Sequence, residues 1–356
     1  MSTTADDVPL LEVTDLATTF HADRGLVRAV DGVSFQVTRG RALAIVGESG
    51  SGKSVLARSL MNLLPASADA SRGSVRFKGE ELRGKPAGQL RGLWGNEISM
   101  VFQDPMTSLN PVVRVGRQIT EALRFHGGPR GRAARERALQ LLLDVGIPDA
   151  RSRLNVYPHQ LSGGMRQRVA IASALACSPS LLIADEPTTA LDVTIQRQIL
   201  DLLQRLQRLH GMAVILITHD LGVAAGRTDE VAVMYAGRIV EKAPTGTLFE
   251  RMCHPYTEAL LASIPRLETP MHTRLATIGG RPPDLIAPRS GCAFAPRCRY
   301  AQPRCLTEDP SLVPATGPEH EVACFFPLRT PEGRTALATD AAAGRTATGA
   351  SAGVTS

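Results

Sequence analysis

The stretch Gly47-Glu48-Ser49-Gly50-Ser51-Gly52-Lys53-Ser54 decides the fold of this chain. It follows a strand-length apolar run, Ala42–Val46, and opens a helical pattern whose apolar positions are Leu56, Leu60, Leu63 and Leu64. Glycines in such a turn let successive backbone N–H groups and the helix N-terminus point at a polyphosphate. Lys53 adds a positive charge at the β- and γ-phosphates, and the Ser54 hydroxyl can ligate Mg²⁺. The sequence therefore predicts a nucleotide-binding phosphate loop, with Gly47, Ser49, Gly50, Gly52, Lys53 and Ser54 as its binding residues.

A second strand-length run ends in two acids. The apolar residues Leu181–Ala184 are followed directly by Asp185 and Glu186, which places both carboxylates at the carboxyl edge of a parallel sheet, where ligands bind. There Asp185 would hold Mg²⁺, and Glu186 would orient or deprotonate an attacking water. Such a pair alone is as often a helix N-cap with a solvated charge, but beside a phosphate loop it indicates a hydrolytic site.

A third motif, Leu161-Ser162-Gly163-Gly164-Met165, precedes a helical run from Arg166 to Ala176. Its hydroxyl and N–H groups would lie at a helix N-terminus, where they form a second anion site. The alternative is an ordinary Ser-Gly-Gly N-cap, which the tripeptide by itself favours.

The chain between Leu10 and about Tyr235 alternates short β-rich apolar runs with longer helical patterns. This alternation predicts an α/β fold with a largely parallel sheet covered by helices. The clearest strands are Ala42–Val46, Ile98–Phe102, Leu181–Ala184, Ala213–Thr218 and Glu230–Tyr235. The clearest helix follows Asp192 as N-cap, repeats Ile195, Ile199, Leu202, Leu206 and Leu209, and stops at Gly211.

Length and composition divide the chain into segments. Its 356 residues exceed what one hydrophobic core usually serves, about 250–300 residues, so one large domain with an appendage is expected. The predicted segments are an N-terminal tail over 1–8, a nucleotide-binding domain over 9–254 with an Arg-rich helical subdomain over about 104–176, a proline-punctuated extension with cysteines over 255–328, and a disordered Ala/Thr/Gly-rich tail over 329–356.

Composition also excludes several classes of protein. Hydrophobic residues make up 43% and charged residues 21% of the chain, which excludes disorder throughout. No run of 18 apolar residues occurs, and Met1–Pro9 lacks the apolar core of a signal peptide, so we expect a chain that neither spans a membrane nor is secreted. The net charge of +6 is too small on this length to indicate an anionic partner.

Taken together, the motifs resemble those of the ATP-binding cassette (ABC) family in identity and in order. The matching features are the phosphate loop, Gln103, Leu161–Met165, Asp185–Glu186, the loop Thr189–Asp192 and His219. The resemblance implies that two such domains dimerise head to tail, each ATP lying between Lys53 of one and Ser162–Gly164 of the other. It also implies that Gln103 lies near Mg²⁺ and the transmembrane partner, and that His219 contacts the γ-phosphate. Asp192 belongs to the same site, and Phe20 is the best match for the aromatic that stacks on adenine; a buried core phenylalanine is the alternative.

Three further stretches narrow the resemblance to the ATPases of dipeptide, oligopeptide and nickel importers. They are Phe102–Pro111, Asp185–Thr194 and His254-Pro255-Tyr256-Thr257 with Ala259-Leu260-Leu261. The resemblance implies two transmembrane permease subunits, a second and non-identical ABC ATPase, a substrate-binding protein outside the membrane, and a peripheral position on the cytoplasmic face. Peptides are the expected cargo, and nickel or another small solute is the alternative. Pro255 can begin a helix, and we assign His254 no catalytic role.

Four of the six cysteines are gathered near the C-terminus at Cys292, Cys298, Cys305 and Cys324. Structural zinc sites usually show tight cysteine pairs, which are missing from this spacing, whereas four thiolates on irregular loops suit an iron–sulfur cluster. The neighbouring Arg297, Arg299 and Arg304 would favour the thiolates. The resemblance agrees, since members of this importer group can carry a [4Fe–4S] cluster there. Zn²⁺ and free or disulfide-bonded thiols are the alternatives.

Two other functions compete with an importer ATPase. ABC ATPases that act on nucleic acid or ribosomes typically carry two cassettes or a long coiled-coil insertion, and neither appears in the sequence, so no nucleic-acid partner is expected. A regulatory cassette without hydrolysis is disfavoured because Glu186 and His219 are both present.

Overall fold

The computed structural model describes residues 8–65, 67–70, 72–104, 108–189, 191–264, 278–286 and 290–343. Its strands are β1 (Pro9–Ala22), β2 (Gly25–Thr38), β3 (Ala42–Val46), β4 (Ala68–Asp69), β5 (Ser74–Phe77), β6 (Glu80–Glu81), β7 (Ile98–Val101), β8 (Leu181–Asp185), β9 (Ala213–Thr218), β10 (Glu230–Tyr235), β11 (Arg238–Pro244), β12 (Val313–Gly317) and β13 (His320–Val322). Its helices are α1 (Lys53–Leu60), α2 (Ala87–Leu90), α3 (Val115–Phe125), α4 (Gly131–Asp144), α5 (Ala150–Arg153), α6 (Gly163–Ala174), α7 (Val193–His210), α8 (Leu221–Ala224), α9 (Thr245–Arg251), α10 (Pro255–Ala262), α11 (Pro303–Thr307) and α12 (Pro331–Ala343), with 3-10 turns at Pro158–Gln160 and Ala295–Arg297.

The central sheet has the strand order β12-β13-β11-β10-β3-β9-β8-β7 in the described part of the chain. Strands β10, β3, β9, β8 and β7 pair in parallel, which confirms the predicted α/β fold. Their register aligns Val46 with Thr218, and Asp185 with Ile217. The residues that follow β3, β8 and β9 therefore meet at one edge of the sheet.

A second sheet, with β1, β2, β5 and β6 in antiparallel pairing and β4 beside β1, was not predicted. Strands β1 and β2 are 14 residues each and are joined at a hairpin in which Ala22 pairs with Gly25. Register shifts along β1 break the regular alternation of buried and exposed residues. Because that alternation is the signal from which sequence identifies an antiparallel strand, the pattern did not reveal this sheet.

The inserted helices form their own apolar cluster against the edge of the central sheet. Helices α3 and α4 pack on α6, and their buried residues Ile119, Leu141 and Leu142 belong to one core cluster with Leu182 of β8. This arrangement connects the Ser162–Gly164 motif, at the start of α6, to the helical subdomain.

The C-terminal extension is joined to the central sheet. Strand β13 pairs with β11, aligning Val322 with Glu241, and β12 pairs with β13.

The disorder predicted from about residue 329 is wrong for the stretch Pro331–Ala343, which is helical. Alanine is the best helix former, and Ala336 is buried and accepts a hydrogen bond from the Gln302 amide; residues 344–356 lie outside the described residues.

None of the helices in the described ranges combines the length and the apolar character needed to cross a membrane.

Candidate functional site

The phosphate loop, Gly47–Ser54, turns between β3 and α1 in close contact with neighbouring backbone. A Cβ atom at Gly47 would lie 2.1 Å from the carbonyl oxygen of Met234, and one at Gly52 would lie 2.1 Å from that of Ala29. Gly52 also has φ of 102°, a conformation that side-chain-bearing residues rarely adopt. The glycines are therefore required by two separate backbone contacts as well as by the turn.

The Lys53 side chain folds back over this loop. Its Nζ donates hydrogen bonds to the carbonyl oxygens of Gly47 at 2.7 Å and Glu48 at 2.9 Å. Burial lowers the Lys53 pKa, and the nearby carboxylates of Glu186, Asp185 and Glu48 oppose that effect. The ammonium group is thus held over the loop, where the phosphates of a nucleotide would lie.

Ser54 and Asp185, the two residues predicted to bind Mg²⁺, meet beside the loop. The Ser54 hydroxyl donates to Asp185 Oδ1 at 3.0 Å. Asp185 is buried, and burial is the main cause that raises its pKa. A hydroxyl and a carboxylate oxygen at hydrogen-bond distance are the donor types that Mg²⁺ prefers.

The Glu186 carboxylate is the point where the side chains of Gln103, Thr189 and His219 converge. Its Oε2 accepts hydrogen bonds from Gln103 Nε2 at 3.0 Å and from Thr189 Oγ1 at 2.9 Å. His219 Nδ1 lies 3.4 Å from the same oxygen. Glu186 itself has φ of 45°, an uncommon conformation for a residue other than glycine, and its N–H donates to the carbonyl of Ile217. The structure therefore brings together Gln103, Glu186 and His219.

The two remaining motifs cap helices. The Ser162 hydroxyl accepts the Met165 N–H at the start of α6, at 3.3 Å, and the Asp192 carboxylate accepts the Ile195 N–H at the start of α7, at 2.9 Å. A Cβ atom on Gly164 would lie 2.8 Å from Ile195 Cγ2, so the Ser162–Gly164 motif packs against the first turn of α7. Ser162 and Gly163 are exposed.

Phe20 lies on β1 near the hairpin tip, pairs with Val27 and Ala68, and is partly buried. Its predicted role at adenine stays a prediction. Ala190, in the loop Thr189–Asp192, and residues 105–107, in the stretch after Gln103, lie outside the described residues.

The four clustered cysteines line one small cavity. Cys292, Cys298, Cys305 and Cys324 surround it together with the aromatic residues Phe294, Tyr300, Phe325 and Phe326. All four are free thiols. Burial raises the pKa of Cys292 to about 11 and that of Cys324 to about 12, and neighbouring cysteines add to both shifts. The thiols are therefore close enough to influence one another in an apolar setting.

The arginines beside these cysteines do not serve the role that the sequence suggested. Arg297 pairs with Glu48, Arg299 with Glu258, and Arg304 with Glu308. Because each guanidinium is directed to a carboxylate, the thiol pKa values are raised by burial and are not lowered by positive charge.

A more compact group of potential ligands lies next to the cysteines. Among the described residues, Glu241, Cys253 and His320 have ligand atoms within 4.8 Å of one another, a condition that no three of the four clustered cysteines meet. His320 Nε2 lies 2.8 Å from Glu241 Oε1, and its Nδ1 lies 2.7 Å from the Thr316 hydroxyl. Glu241 also accepts the N–H groups of Cys253 and His254. This buried group joins β11 and β13 to the start of α10.

Sequence reasoning missed two residues of the extension that touch the phosphate loop. Tyr256 Oη accepts the Glu48 N–H at 2.8 Å, and Arg297 forms a bidentate ion pair with the Glu48 carboxylate. The His254-Pro255-Tyr256-Thr257 motif supports the family resemblance, but nothing in its spacing indicates a contact with a loop about two hundred residues earlier.

Comparisons with known proteins agree with this geometry. The family described as ABC transporter matches residues 30–189, and the family described as the C-terminal region of oligopeptide/dipeptide transporters matches residues 240–305. A putative peptide import ATP-binding protein of Brucella abortus is 50% identical over 88% of this chain and 94% of its own length. The oligopeptide transport ATP-binding protein OppD of Bacillus subtilis is 51% identical over 85% of each chain.

Two solved structures share the fold of the cassette. A dimeric ATP-binding cassette in a post-hydrolysis state, bound to ADP and Pi, aligns with a TM-score of 0.60 at 28% identity, over 66% of this chain and 98% of that one. A cassette of Clostridium perfringens that is part of the cbiONQ transporter complex aligns with a TM-score of 0.58 at 29% identity, over 68% of this chain and 91% of that one. The chain therefore belongs to the ATP-binding proteins of ABC transporters, in the group with the oligopeptide/dipeptide C-terminal region, and it is an ATPase.

Proposed function

We propose that this ATPase powers the import of dipeptides or oligopeptides across the cytoplasmic membrane. ATP hydrolysis at this site is supported by the convergence of Gln103, Thr189 and His219 on the Glu186 carboxylate. The matched C-terminal region and the relatives named for peptide import and oligopeptide transport support the cargo class. An importer of nickel or another small solute is the alternative, because the cargo is selected by other chains.

The phosphate loop and its neighbours would bind the nucleotide. Lys53 would exchange its bonds to the carbonyls of Gly47 and Glu48 for the β- and γ-phosphates. Ser54 and Asp185 would hold Mg²⁺, which neutralises phosphate charge during the transfer. The N–H groups of the turn, from Ser49 to Ser54, would complete the cradle.

Hydrolysis would take place in front of Glu186. Its carboxylate would orient a water for in-line attack on the γ-phosphate and accept a proton from it. Gln103 and Thr189 hold the carboxylate by hydrogen bonds to its Oε2. His219 lies beside the same oxygen with most of its side chain exposed, and it would contact the γ-phosphate. Because these hydrogen bonds hold Glu186 by Oε2, its other carboxylate oxygen, Oε1, would bind the attacking water.

A second cassette would complete each nucleotide site. Ser162, Gly163 and Gly164 are at the N-terminus of α6, with the first two exposed, and such N-termini bind anions. We infer that they receive the γ-phosphate of an ATP held by the partner's phosphate loop, with Asp192 at the same boundary and Phe20 at the adenine. The partner would be a related but non-identical ATPase. The ADP-bound cassette that shares this fold is itself a dimer, which supports the pairing.

An importer needs other proteins besides the two ATPases. The chain would act at the cytoplasmic face of the membrane with two permease subunits, and a substrate-binding protein would deliver cargo from outside. Closure and reopening of the cassette dimer would drive the permease between its two states.

The four cysteines would hold a [4Fe–4S] cluster. A single tetrahedral Zn²⁺ draws four sulfurs to about 3.8 Å from one another, since Zn–S bonds are about 2.3 Å, whereas no three of these sulfurs lie within 4.8 Å of one another. A cavity lined by four thiols and aromatic rings fits a larger cluster, which takes four cysteine ligands. Zn²⁺ remains the alternative.

Replacement of Cys298 by serine is expected to remove the metal. The full chain purified without oxygen should contain about four irons, and the Cys298→Ser protein should contain fewer than about one, because four thiolates are needed for a stable cluster. Iron, zinc and sulfide are measured per chain. The matched control is Cys177→Ser. Cys177 is a half-buried thiol that packs in a different apolar cluster from Cys298 and Cys305, and this variant should keep all its iron. Stoichiometric zinc in the native protein would contradict the cluster.

The cargo is tested by uptake in cells whose only copy of the gene carries Glu186→Gln. Uptake of labelled dipeptides and oligopeptides should fall to background while nickel uptake stays unchanged. Cells carrying Glu80→Gln, which alters an exposed residue on β6, should take up peptides normally. Loss of nickel uptake alone would favour the alternative cargo.

A further inference from the structure

The cysteine-bearing extension touches the phosphate loop through one buried cation. Arg297 donates from Nη1 to Glu48 Oε2 at 2.6 Å and from Nη2 to Glu48 Oε1 at 2.9 Å. Only 3% of its side chain is exposed. A bidentate pair at this burial fixes both the position and the orientation of the Glu48 side chain.

The guanidinium is itself held in place by its surroundings. Its Nε and Nη2 donate to the carbonyls of Gly279 and Ile278. Its carbon lies 5.9 Å from the ring centre of Tyr235 and 6.0 Å from that of Phe294. Its Nη1 also donates to the Tyr235 hydroxyl at 3.3 Å. Because these bonds and the two neighbouring rings hold the guanidinium in place, Arg297 acts as a rigid support for the loop.

A second contact fixes the backbone of the same residue. Tyr256 Oη accepts the Glu48 N–H at 2.8 Å. Tyr256 is fully buried, with its ring 4.6 Å from Tyr235 and 5.3 Å from Phe294 between centroids. Its helix, α10, starts at Pro255, after His254, whose N–H is bound by Glu241. The extension thus holds Glu48 by side chain and backbone at once.

The charge of Glu48 gives the ion pair a consequence for nucleotide binding. Glu48 is the second residue of the phosphate loop and influences Lys53 electrostatically. An unpaired carboxylate there would repel the phosphates of ATP and hold Lys53 on the loop. Arg297 neutralises it, although it comes from the extension and has no place in the nucleotide cradle.

We propose that Arg297 and Tyr256 are positioning residues of the phosphate loop, through which the C-terminal extension sets the affinity of the cassette for ATP. The inference rests on the phosphate loop binding ATP, as proposed above, and is independent of the cargo and of the cluster. Arg297 lies next to Cys298, so the residues that support the loop and those proposed to hold the cluster share one short segment.

The test measures ATP affinity of the full chain, and KM and kcat of the transporter assembled with its permease subunits. Arg297→Gln is expected to weaken ATP binding and raise KM about tenfold, with kcat within about twofold, because the lost interaction acts equally on ground and transition states. Glu48→Gln should raise KM only about two- to threefold. The double variant should match Glu48→Gln, since removal of the carboxylate removes the repulsion as well.

Matched controls come from the same extension. Arg299→Gln breaks the pair with Glu258, which does not involve the loop, and should leave KM within about twofold of the wild type. Tyr256→Phe, which deletes only the hydroxyl that accepts the Glu48 N–H, should raise KM about threefold; Tyr300→Phe, whose hydroxyl binds Glu258, should not. Because Tyr256→Phe keeps the buried ring, it tests the contact even where Arg297→Gln fails to fold.

Three results would overturn the inference. They are an ATP affinity of folded Arg297→Gln within twofold of the wild type, an equal loss in Arg299→Gln, or a double variant whose loss is the product of the two single losses. A wild-type chain that does not bind ATP would instead contradict the proposed function, so the two failures are distinguishable.

Discussion

Replacement of Glu186 by glutamine is expected to lower the rate of ATP hydrolysis at least about a hundredfold, a loss typical of removing a positioned general base. ATP binding should stay within about threefold, because the phosphate loop, Lys53 and the Ser54–Asp185 contact are unchanged. The amide still fills the place of the carboxylate, and Gln103 and Thr189 can still donate to its oxygen. Turnover is measured in the assembled transporter, and binding in the full chain.

Two comparisons sharpen this result. Glu80→Gln removes one negative charge from an exposed residue on β6, at the edge of the antiparallel sheet. This variant should hydrolyse ATP at the wild-type rate. His219→Ala should also lower turnover, since His219 lies 3.4 Å from the same carboxylate oxygen. Wild-type turnover in Glu186→Gln would mean that another group activates the water.

Replacement of Gly52 by alanine is expected to weaken ATP binding more than a hundredfold. The new Cβ would lie 2.1 Å from the Ala29 carbonyl oxygen of β2, and the residue would have to keep φ of 102°. Because the obstacle is backbone of a long strand, the phosphate loop must move, and its N–H groups then no longer converge on the phosphates. Nucleotide affinity and thermal unfolding of the full chain are measured together.

Gly79→Ala is the control for backbone strain alone. Gly79 has φ of 79° with nothing within 4 Å of an added Cβ, so this variant carries only the cost of a left-handed residue, about 1–2 kcal/mol. It should unfold at a lower temperature and bind ATP normally. Normal ATP binding by Gly52→Ala would show that the loop tolerates displacement from β2.

Local sequence was sufficient for the parallel part of the central sheet. Strands β3, β9 and β10 have the predicted bounds, and β7 and β8 differ by one residue at one end. Short apolar runs bounded by turn residues indicate buried parallel strands directly. Gln103, Asp185 and Glu186 lie at or just beyond the ends of strands that share one edge of the sheet, and the family resemblance implied that Gln103 lies near the Mg²⁺ that Asp185 was predicted to hold.

Longer-range features were not accessible from sequence patterns. The antiparallel sheet depends on irregular pairing along β1, and the helix Pro331–Ala343 depends on contacts such as that between Gln302 and Ala336. The interpretation of Arg297, Arg299 and Arg304 as partners of the cysteines was wrong because a residue beside a cysteine in sequence can bond to another partner in the fold. Each guanidinium is directed to a carboxylate instead.

The sequence by itself determined the α/β cassette, the phosphate loop and the acids that face it, because each depends on a short motif whose local conformation fixes its chemistry. The tertiary structure alone decided that the extension reaches back to that loop. Arg297 and Glu48 are 249 residues apart, and the pairing of β13 with β11 and the packing of α10 bring them together. A contact of this range leaves no periodic trace in sequence, since it is fixed by the packing of whole elements and not by the residues beside it.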